Sequence, residues 1–413
     1  MEEIGIKFGK CQICESIKLH KFLSLGHHPN PDGFLNEQRL GEPEIYYPLD
    51  VFFCEDCKLV QLQYAPNPFA LFTEDFIYTT GSNKELRDNF NSLAKIILER
   101  FNLSQDDLVV DIGGNDGTFL ENYLPYGIKI LNIDPSAAAK LSVKKNIPTL
   151  INFFSENLAK KINEKAKIII ATNVFAHVRN LNSFMNGIKI LLEDKGVFVQ
   201  ESGYVRTMIE YTQYDSIYVE HLRYYSLKSL INLFNKFDMD VFDAEIISTH
   251  GGSIRTYVCR KGQFPISENI QKILNEEKEF GLDSKEFYDK FGKKVEENRD
   301  ELRKILFDLK YQGKRIVGIG APAKGNILLN YCRIGNETID ALLERGSLKV
   351  GMYSPGMHIP IIDENILFKE NPPEAALLLS WNLEKIIVPK LRERGYKGKI
   401  IIPVPRPHVL DIF

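Results

Sequence analysis

The chain lacks any apolar run long enough to cross a bilayer, which removes a membrane-embedded class from consideration. It also lacks a charge imbalance. Its 52 Lys and Arg against 55 Asp and Glu leave a net charge of −3, and a nucleic-acid or anionic-membrane partner calls for a basic surplus. The opening Met1-Glu2-Glu3-Ile4-Gly5 has neither the basic nor the apolar stretch of a secretory leader. A reducing cytoplasm is therefore expected, where close cysteine pairs bind metal or exchange electrons more often than they crosslink. No internal repeat at a solenoid period is visible. Cysteine is scarce, with six in 413 residues, and Cys259 and Cys332 stand apart as core-filling thiols.

What is present is a globular composition, 44% apolar and 26% charged, in a chain long enough for two or three domains. Residues 1–75 are rich in Gly and Pro turns and poor in helical periods, so a small domain there needs a staple. Residues 76–262 alternate helical spacing, beginning at Leu86–Phe101, with short apolar runs at Leu108–Ile112, Ile128–Ile133, Ile168–Ala171, Val197–Gln200 and Ile254–Val258. That alternation predicts a parallel α/β sheet. Residues 263–310 have the charge and spacing of one or two amphipathic connecting helices. Residues 311–413 read as a second α/β unit. Its strands are expected at Arg315–Ile319, Ala375–Ser380, Lys385–Val388 and Lys399–Val404, and a Gly loop, Gly320–Gly325, opens a helix.

Four cysteines form two C-x-x-C knuckles, Cys11/Cys14 and Cys54/Cys57. Such turns bring thiolates onto one tetrahedral metal, and four thiolates favour zinc. A redox role needs only one pair. With all four positions filled by cysteine the site is closed, hence structural. His27 and His28, between the knuckles, read as loop residues.

The second motif follows a buried strand: Asp111-Ile112-Gly113-Gly114-Asn115-Asp116-Gly117. Glycines let the backbone turn tightly against a ligand. A dinucleotide fingerprint requires G-x-G-x-x-G, which does not stand here. The leading acid instead resembles the first motif of class I S-adenosylmethionine methyltransferases. That resemblance puts the methionine end of the cofactor near Asp111, with Gly113, Asn115 and Gly117 shaping the loop. It gives Asp134, at the end of the next strand, the ribose, as an acid there also does in dinucleotide enzymes. It lets Phe154 and Ser155 flank the adenine and gives Asn173 a backbone contact.

Four further stretches, Asn173–Val178, Tyr218–Leu222, His250–Arg255 and Gly318–Gly325, extend the likeness over nearly the whole chain. It resembles the three-domain C-methyltransferases that act on nucleotide-diphosphate-linked keto-sugars. The resemblance implies an α/β fold: a class I methyltransferase Rossmann-like sheet, a small N-terminal zinc-binding domain and a second C-terminal Rossmann-like domain. It implies S-adenosylmethionine and structural zinc as cofactors. Methylation next to a ketone needs a base of near-neutral pKa, for which histidine is suited, and the resemblance gives that role to His221. Glu220 binds a sugar hydroxyl or orients the base. His177, Tyr78 and Tyr218 are the candidates for hydrogen-bonding the enolate or steering the sugar. His250 either lines the cleft or shapes a turn. Lys324 in the C-terminal Gly loop reads as an exposed lysine or a phosphate contact. Leu342–Lys349 departs from the family pattern. O-methylation of a nucleotide-linked sugar, or a non-catalytic zinc-ribbon binding module, are the competing readings. A monomer or small homo-oligomer is expected.

Overall fold

The computed structural model describes residues 5–68, 79–82, 84–345 and 348–410. The chain divides into two compact units, the first made of Met1–His20, Phe53–Arg206 and Leu222–Asp283, the second of Lys21–Phe52, Thr207–His221 and Ser284–Phe413.

The first unit is built on seven strands: β1 (Leu108–Ile112), β2 (Lys129–Ile133), β3 (Thr149–Leu150), β4 (Ala166–Thr172), β5 (Leu192–Gly203), β6 (Met239–Ile247) and β7 (Ser253–Arg260). They lie in the order β3-β2-β1-β4-β5-β7-β6. The strands from β3 to β5 pair in parallel, while β7 pairs antiparallel with both β5 and β6. The order in which the chain visits the strands reverses at the β1/β4 boundary, and in open α/β sheets ligands bind at such a switch point, beyond the carboxyl ends of the strands. The expected strands form: β1 matches its apolar run, β2 starts one residue later, and β4, β5 and β7 extend beyond theirs. β6 escapes sequence reading because Asp240, Asp243 and Glu245 interrupt it.

Helix α1 (Lys84–Arg100) covers one face, packing Phe90, Leu93, Ala94 and Ile97 against Val109, Ile168, Ile170, Val197 and Val199. The other face is covered by α2 (Leu181–Leu191) and α3 (Leu227–Asn235), through Phe184, Met185, Ile188, Leu230, Leu233 and Phe234. Thr118-Phe119-Leu120-Glu121, after Gly117, suits a helix start in sequence, but the chain there makes a run of 3-10 turns, Leu120–Tyr126, containing Pro125 and ended by Gly127 at φ +67°. Proline removes a backbone donor and clashes with the preceding turn, which blocks a regular α-helix. α4 (Glu268–Phe280) closes this unit.

The second unit opens its C-terminal part with the long helix α5 (Lys285–Tyr311), followed by β8 (Ile316–Ile319), α6 (Ala323–Cys332), β9 (Leu342–Glu344), β10 (Ile361–Asp363), β11 (Ala375–Leu378), α7 (Glu384–Glu393), β12 (Lys399–Ile402) and β13 (His408–Leu410). The sheet order is β10-β9-β8-β11-β12-β13, parallel except for the last pair. The strand expected at Lys385–Val388 is helix α7. Its β-branched run suggests a strand, but Ile386 is 49% exposed while Leu391 is buried. Residues 387, 388 and 391 therefore share one face at helical spacing.

Candidate functional site

The two knuckles have the same local construction. Glu15 N–H donates to Cys11 O at 3.0 Å and Lys58 N–H donates to Cys54 O at 3.0 Å. Glu15 and Lys58 are left-handed, at φ +61° and +66°. Each turn folds its pair of thiols inward, and the four Sγ atoms lie within 4.8 Å of one another. Cys11 and Cys57 Sγ are 3.4 Å apart, and Cys14 and Cys54 Sγ 3.6 Å apart. Sulfurs roughly 2.3 Å from a tetrahedral zinc stand about 3.8 Å from each other, so the donor set fits that ion. The thiols compete for protons. Hydrogen bonding from Cys11 holds Cys54 down at about 2, while hydrogen bonding to Cys54 pushes Cys11 up to about 12. A cation removes that conflict by favouring the thiolate on all four. His28 lies outside the cluster, at the end of strand Leu19–His28, with Nε2 2.7 Å from Leu25 O.

At the switch point β1 ends in Asp111-Ile112 and the chain turns through Gly113 at φ +74°, where Gly113 N–H donates to Ile133 O at 2.7 Å. A Cβ on Gly113 would overlap the Val174 side chain, and one on Gly117 would come within 2.6 Å of Ile147 Cδ1 and Ser142 Oγ. Glycine is required at both by conformation and by space. Asn115, at φ +51°, donates its N–H to Asp134 Oδ2 at 3.0 Å and accepts Thr80 N–H on its side chain at 3.0 Å. Asp116 accepts Gly81 N–H at 3.0 Å and Thr118 Oγ1–H at 2.6 Å. Residues 79–82 thus brace the loop, a contact no sequence pattern announced. Asp134 also accepts Ser136 N–H at 2.7 Å. Its carboxylate keeps lone-pair capacity for further donors.

Asp111 is buried, and its Oδ1 makes no hydrogen bond. Burial first, then Asp134 and Glu201, push its carboxyl up to about 8. Asn173, just beyond β4, is left-handed at φ +57° and donates its N–H to Glu201 O at 2.9 Å. Phe154 packs edge-on against Phe184 of α2, with centroids 5.2 Å apart, and Ser155 caps the short helix Glu156–Ala159. His177 closes the 3-10 turn Phe175–His177 beyond β4, its N–H donating to Val174 O at 2.9 Å. This loop, Asp134, Asn173 and His177 belong to the first unit.

In the second unit, Tyr218, Glu220 and His221 occupy a single turn, closed by His221 N–H donating to Tyr218 O at 2.9 Å. His221 Nδ1 lies 3.0 Å from Ser216 O. A carbonyl only accepts, so Nδ1 carries the proton and Nε2 is left as the basic nitrogen. The Tyr218 ring lies 4.0 Å from the imidazole, centroid to centroid, at 34°. Glu220 is buried, and its Oε1 has no hydrogen-bond partner. Burial and then the Asp32 carboxylate push it up to about 8, so near neutrality it is largely a neutral donor. Asp32 is itself raised by burial and drawn down by Lys349. Tyr78 lies outside the described residues.

The expectation of an exposed Lys324 does not hold. Its Nζ lies 4.9 Å from the Trp381 ring centroid, burial lowers its pKa, and Asp215 opposes that shift. Trp381 Nε1–H donates to Asp215 Oδ2 at 2.6 Å. The departure at Leu342–Lys349 has a local use. Glu344 accepts Ala321 N–H of the Gly loop at 2.7 Å, and Lys349 donates to Ala321 O at 2.8 Å. Sequence reading also passed over Glu201 and Arg255, which form a buried ion pair at 2.5 Å. The only signal was an acid ending the Val197–Gln200 run and an arginine ending the His250–Arg255 stretch.

Among the described residues no helix is long and apolar enough to cross a membrane. Three family models match in succession: "Putative zinc binding domain" over residues 11–72, "Methyltransferase domain" over 84–243 and "C-methyltransferase C-terminal domain" over 248–405. The chain is 28% identical over 417 aligned residues to the C-methyltransferase NovU of Streptomyces niveus, covering 100% of this chain and 99% of that protein. Solved structures similar to it include the PH0226 protein of Pyrococcus horikoshii OT3, 14% identical with a TM-score of 0.36, covering 45% of this chain and 95% of that one. Another is the magnesium protoporphyrin IX methyltransferase of Synechocystis PCC 6803 with S-adenosylmethionine bound, 12% identical with a TM-score of 0.33, covering 42% and 79%. With a four-thiol zinc cluster, a glycine loop at the switch point of a Rossmann-like sheet and these three domains in order, the chain belongs to the three-domain S-adenosylmethionine-dependent C-methyltransferases.

Proposed function

We propose that this enzyme methylates the carbon next to the ketone of a nucleotide-diphosphate-linked keto-sugar, with His221 as the base. The observation that carries the base assignment is the His221–Ser216 contact at 3.0 Å, which commits Nδ1 and leaves Nε2 to accept a proton. His221 takes the proton of the acidified C–H bond, and the electron pair of that bond passes to the carbon and carbonyl oxygen. When bound, S-adenosylmethionine supplies an electrophilic methyl group for that carbon. Glu220, held neutral by burial and Asp32, donates a hydrogen bond to a substrate oxygen. Tyr218, tilted against the imidazole, limits its rotation, and His177 and Tyr78 serve the enolate oxygen or the sugar. Asp111, Gly113, Asn115, Gly117, Asp134, Phe154, Ser155 and Asn173 form the cofactor site in this reading. The nucleotide-linked sugar rests on the resemblance of the Tyr218–Leu222, His250–Arg255 and Gly318–Gly325 stretches.

The test is to incubate the enzyme in deuterated water with methyl-labelled cofactor and a panel of nucleotide keto-sugars, then locate the label by NMR. Carbon-bound label, with solvent exchange of the adjacent proton, is expected. Label on oxygen without exchange would replace this reading with O-methylation. His221→Asn should keep cofactor binding and lose turnover by at least about a hundredfold, the usual contribution of a general base. Near wild-type turnover in that variant refutes the base.

A further inference from the structure

Three strand ends of the first unit place charge on one face of the sheet. Asp111 of β1 pairs with Ile170 of β4, Glu201 of β5 pairs with Thr172 of β4, and Arg255 of β7 lies opposite Glu201. Paired residues point to the same face, and the face repeats every second residue. Asp111, Glu201 and Arg255 therefore project to the side that α1 covers, where Val109, Ile170, Val199 and Tyr257 join its core.

Arg255 is spread over this cluster. Its Nε meets Glu201 Oε1 at 2.5 Å, Nη1 meets Glu245 Oε1 at 2.8 Å, and Nη2 donates to Asn89 Oδ1 of α1 at 3.2 Å. The Arg255 and Glu201 side chains are 4% and 1% exposed. A buried ion pair is a poor device for stability alone, because apolar residues of similar volume serve as well or better. Acid also outweighs base here, with Asp111, Asp134, Glu201 and Glu245 set against one guanidinium. Asp111 Oδ1 has no hydrogen bond, and Glu201 Oε2 has none of good geometry; burial raises the Glu201 carboxyl, and Arg255 and then the Asn89 amide oppose that rise. Arg255 fixes Glu201 through one carboxylate oxygen and leaves the other to face a donor.

We infer that Glu201, clamped by Arg255, is a specificity residue that acts with Asp111 to receive the ammonium group at the methionine end of the cofactor. Charge-assisted hydrogen bonds to two desolvated carboxylates are strong and directional, and burial at the sheet face keeps water from competing. Arg255 is a positioning residue: it opposes the rise that burial imposes on Glu201 and holds its carboxyl turned, and does not itself meet the ligand. The inference depends on the cofactor and is independent of the sugar and base proposed above.

The experiment is calorimetric titration of the full-length zinc-loaded protein with S-adenosylhomocysteine and with its des-amino analogue, which lacks only the ammonium group. Wild-type protein should bind the analogue at least about tenfold more weakly, one charge-assisted contact's worth. In Glu201→Gln, S-adenosylhomocysteine should weaken by about tenfold while the analogue changes less than about twofold, so that discrimination collapses. Arg255→Lys, which keeps the charge but loses the fork, should show the same pattern more weakly, and it carries the test if Glu201→Gln does not fold. Equal losses for both ligands would reduce the pair to a structural bridge, and undiminished discrimination in the variants would likewise overturn the inference.

Discussion

Two buried carboxyls, Glu220 and Asp111, set the expected pH behaviour, because burial is the largest cause of the upward shift in both. For Glu220 the donor is the protonated form, which is lost as pH rises through about 8. Wild-type turnover should therefore fall on that limb. Glu220→Gln, which keeps a donor at every pH, should retain measurable turnover and lose the limb. Initial rates between pH 6 and 9 decide this, and an unchanged alkaline limb in the variant removes Glu220 from the role. For Asp111 the sign is opposite, because an ammonium ligand favours the ionised form. Tyr123, itself held neutral, faces it, and Asp134 and Glu201 disfavour a further negative charge, so S-adenosylhomocysteine affinity should rise from pH 6 through about 8 and flatten in Asp111→Asn. The stability sign is consistent with this. A carboxyl raised in the folded state stabilises it at low pH, and that contribution is lost as pH rises through about 8. Thermal melts should show the free protein weakening over that window while the ligand's protective shift grows. At this scale the sequence named Asp111, Glu220 and His221. Their protonation states were not legible, since Asp32, Ser216 and Glu201 act on them only after folding.

Among the helices, α3 has a well-defined start. Ser226 and Ser229 form a reciprocal capping box, and Glu277 of α4 accepts Leu227 N–H at 2.5 Å and Lys228 N–H at 3.1 Å. Tyr204 Oη–H donates to the same carboxylate at 3.0 Å. A buried carboxylate at a helix N-terminus satisfies orphan donors and meets the positive end of the helix dipole. Glu277→Ala should cost about 3 kcal/mol, because it strands several buried donors, and Ser226→Ala about 1 kcal/mol. Urea midpoints at constant m-value measure both; a Glu277→Ala midpoint equal to wild type would mean water replaces the carboxylate without loss. The capping residues of α3 stand in the sequence, whereas Glu277, nearly fifty positions away on another helix, could not be read as part of that cap. The same limit applies to α7, whose Ile386-Ile387-Val388 run has strand composition and a helical fate. Local propensity is weak, and the buried face at Leu391 decides.

The zinc cluster acts beyond its own segment. Asn232 of α3 donates to Cys57 O at 3.1 Å, and Lys236 donates to Ile13 O at 2.9 Å, so the knuckles are tied to a helix that covers the sheet within the first unit. Cys54→Ser should lower zinc from about one per chain, reduce soluble yield and lower the melting temperature. Metal analysis beside melts checks this, and a soluble, zinc-free, fully active variant would refute the structural role. From sequence alone the metal donors, the glycine loop, most strands of the first sheet, half of those of the second, and the family were determined. Each is a short-range pattern: ligand spacing in a turn, glycine where φ is positive, apolar runs of strand length. Only tertiary structure decided what required distant side chains to share a dry volume. That includes the neutral state of Glu220 beside Asp32, the basic nitrogen of His221, the bracing of the loop by residues 79–82, and the Arg255 clamp on Glu201. The physical reason is that desolvation and charge–charge coupling depend on distances through space, which a linear order of residues does not contain.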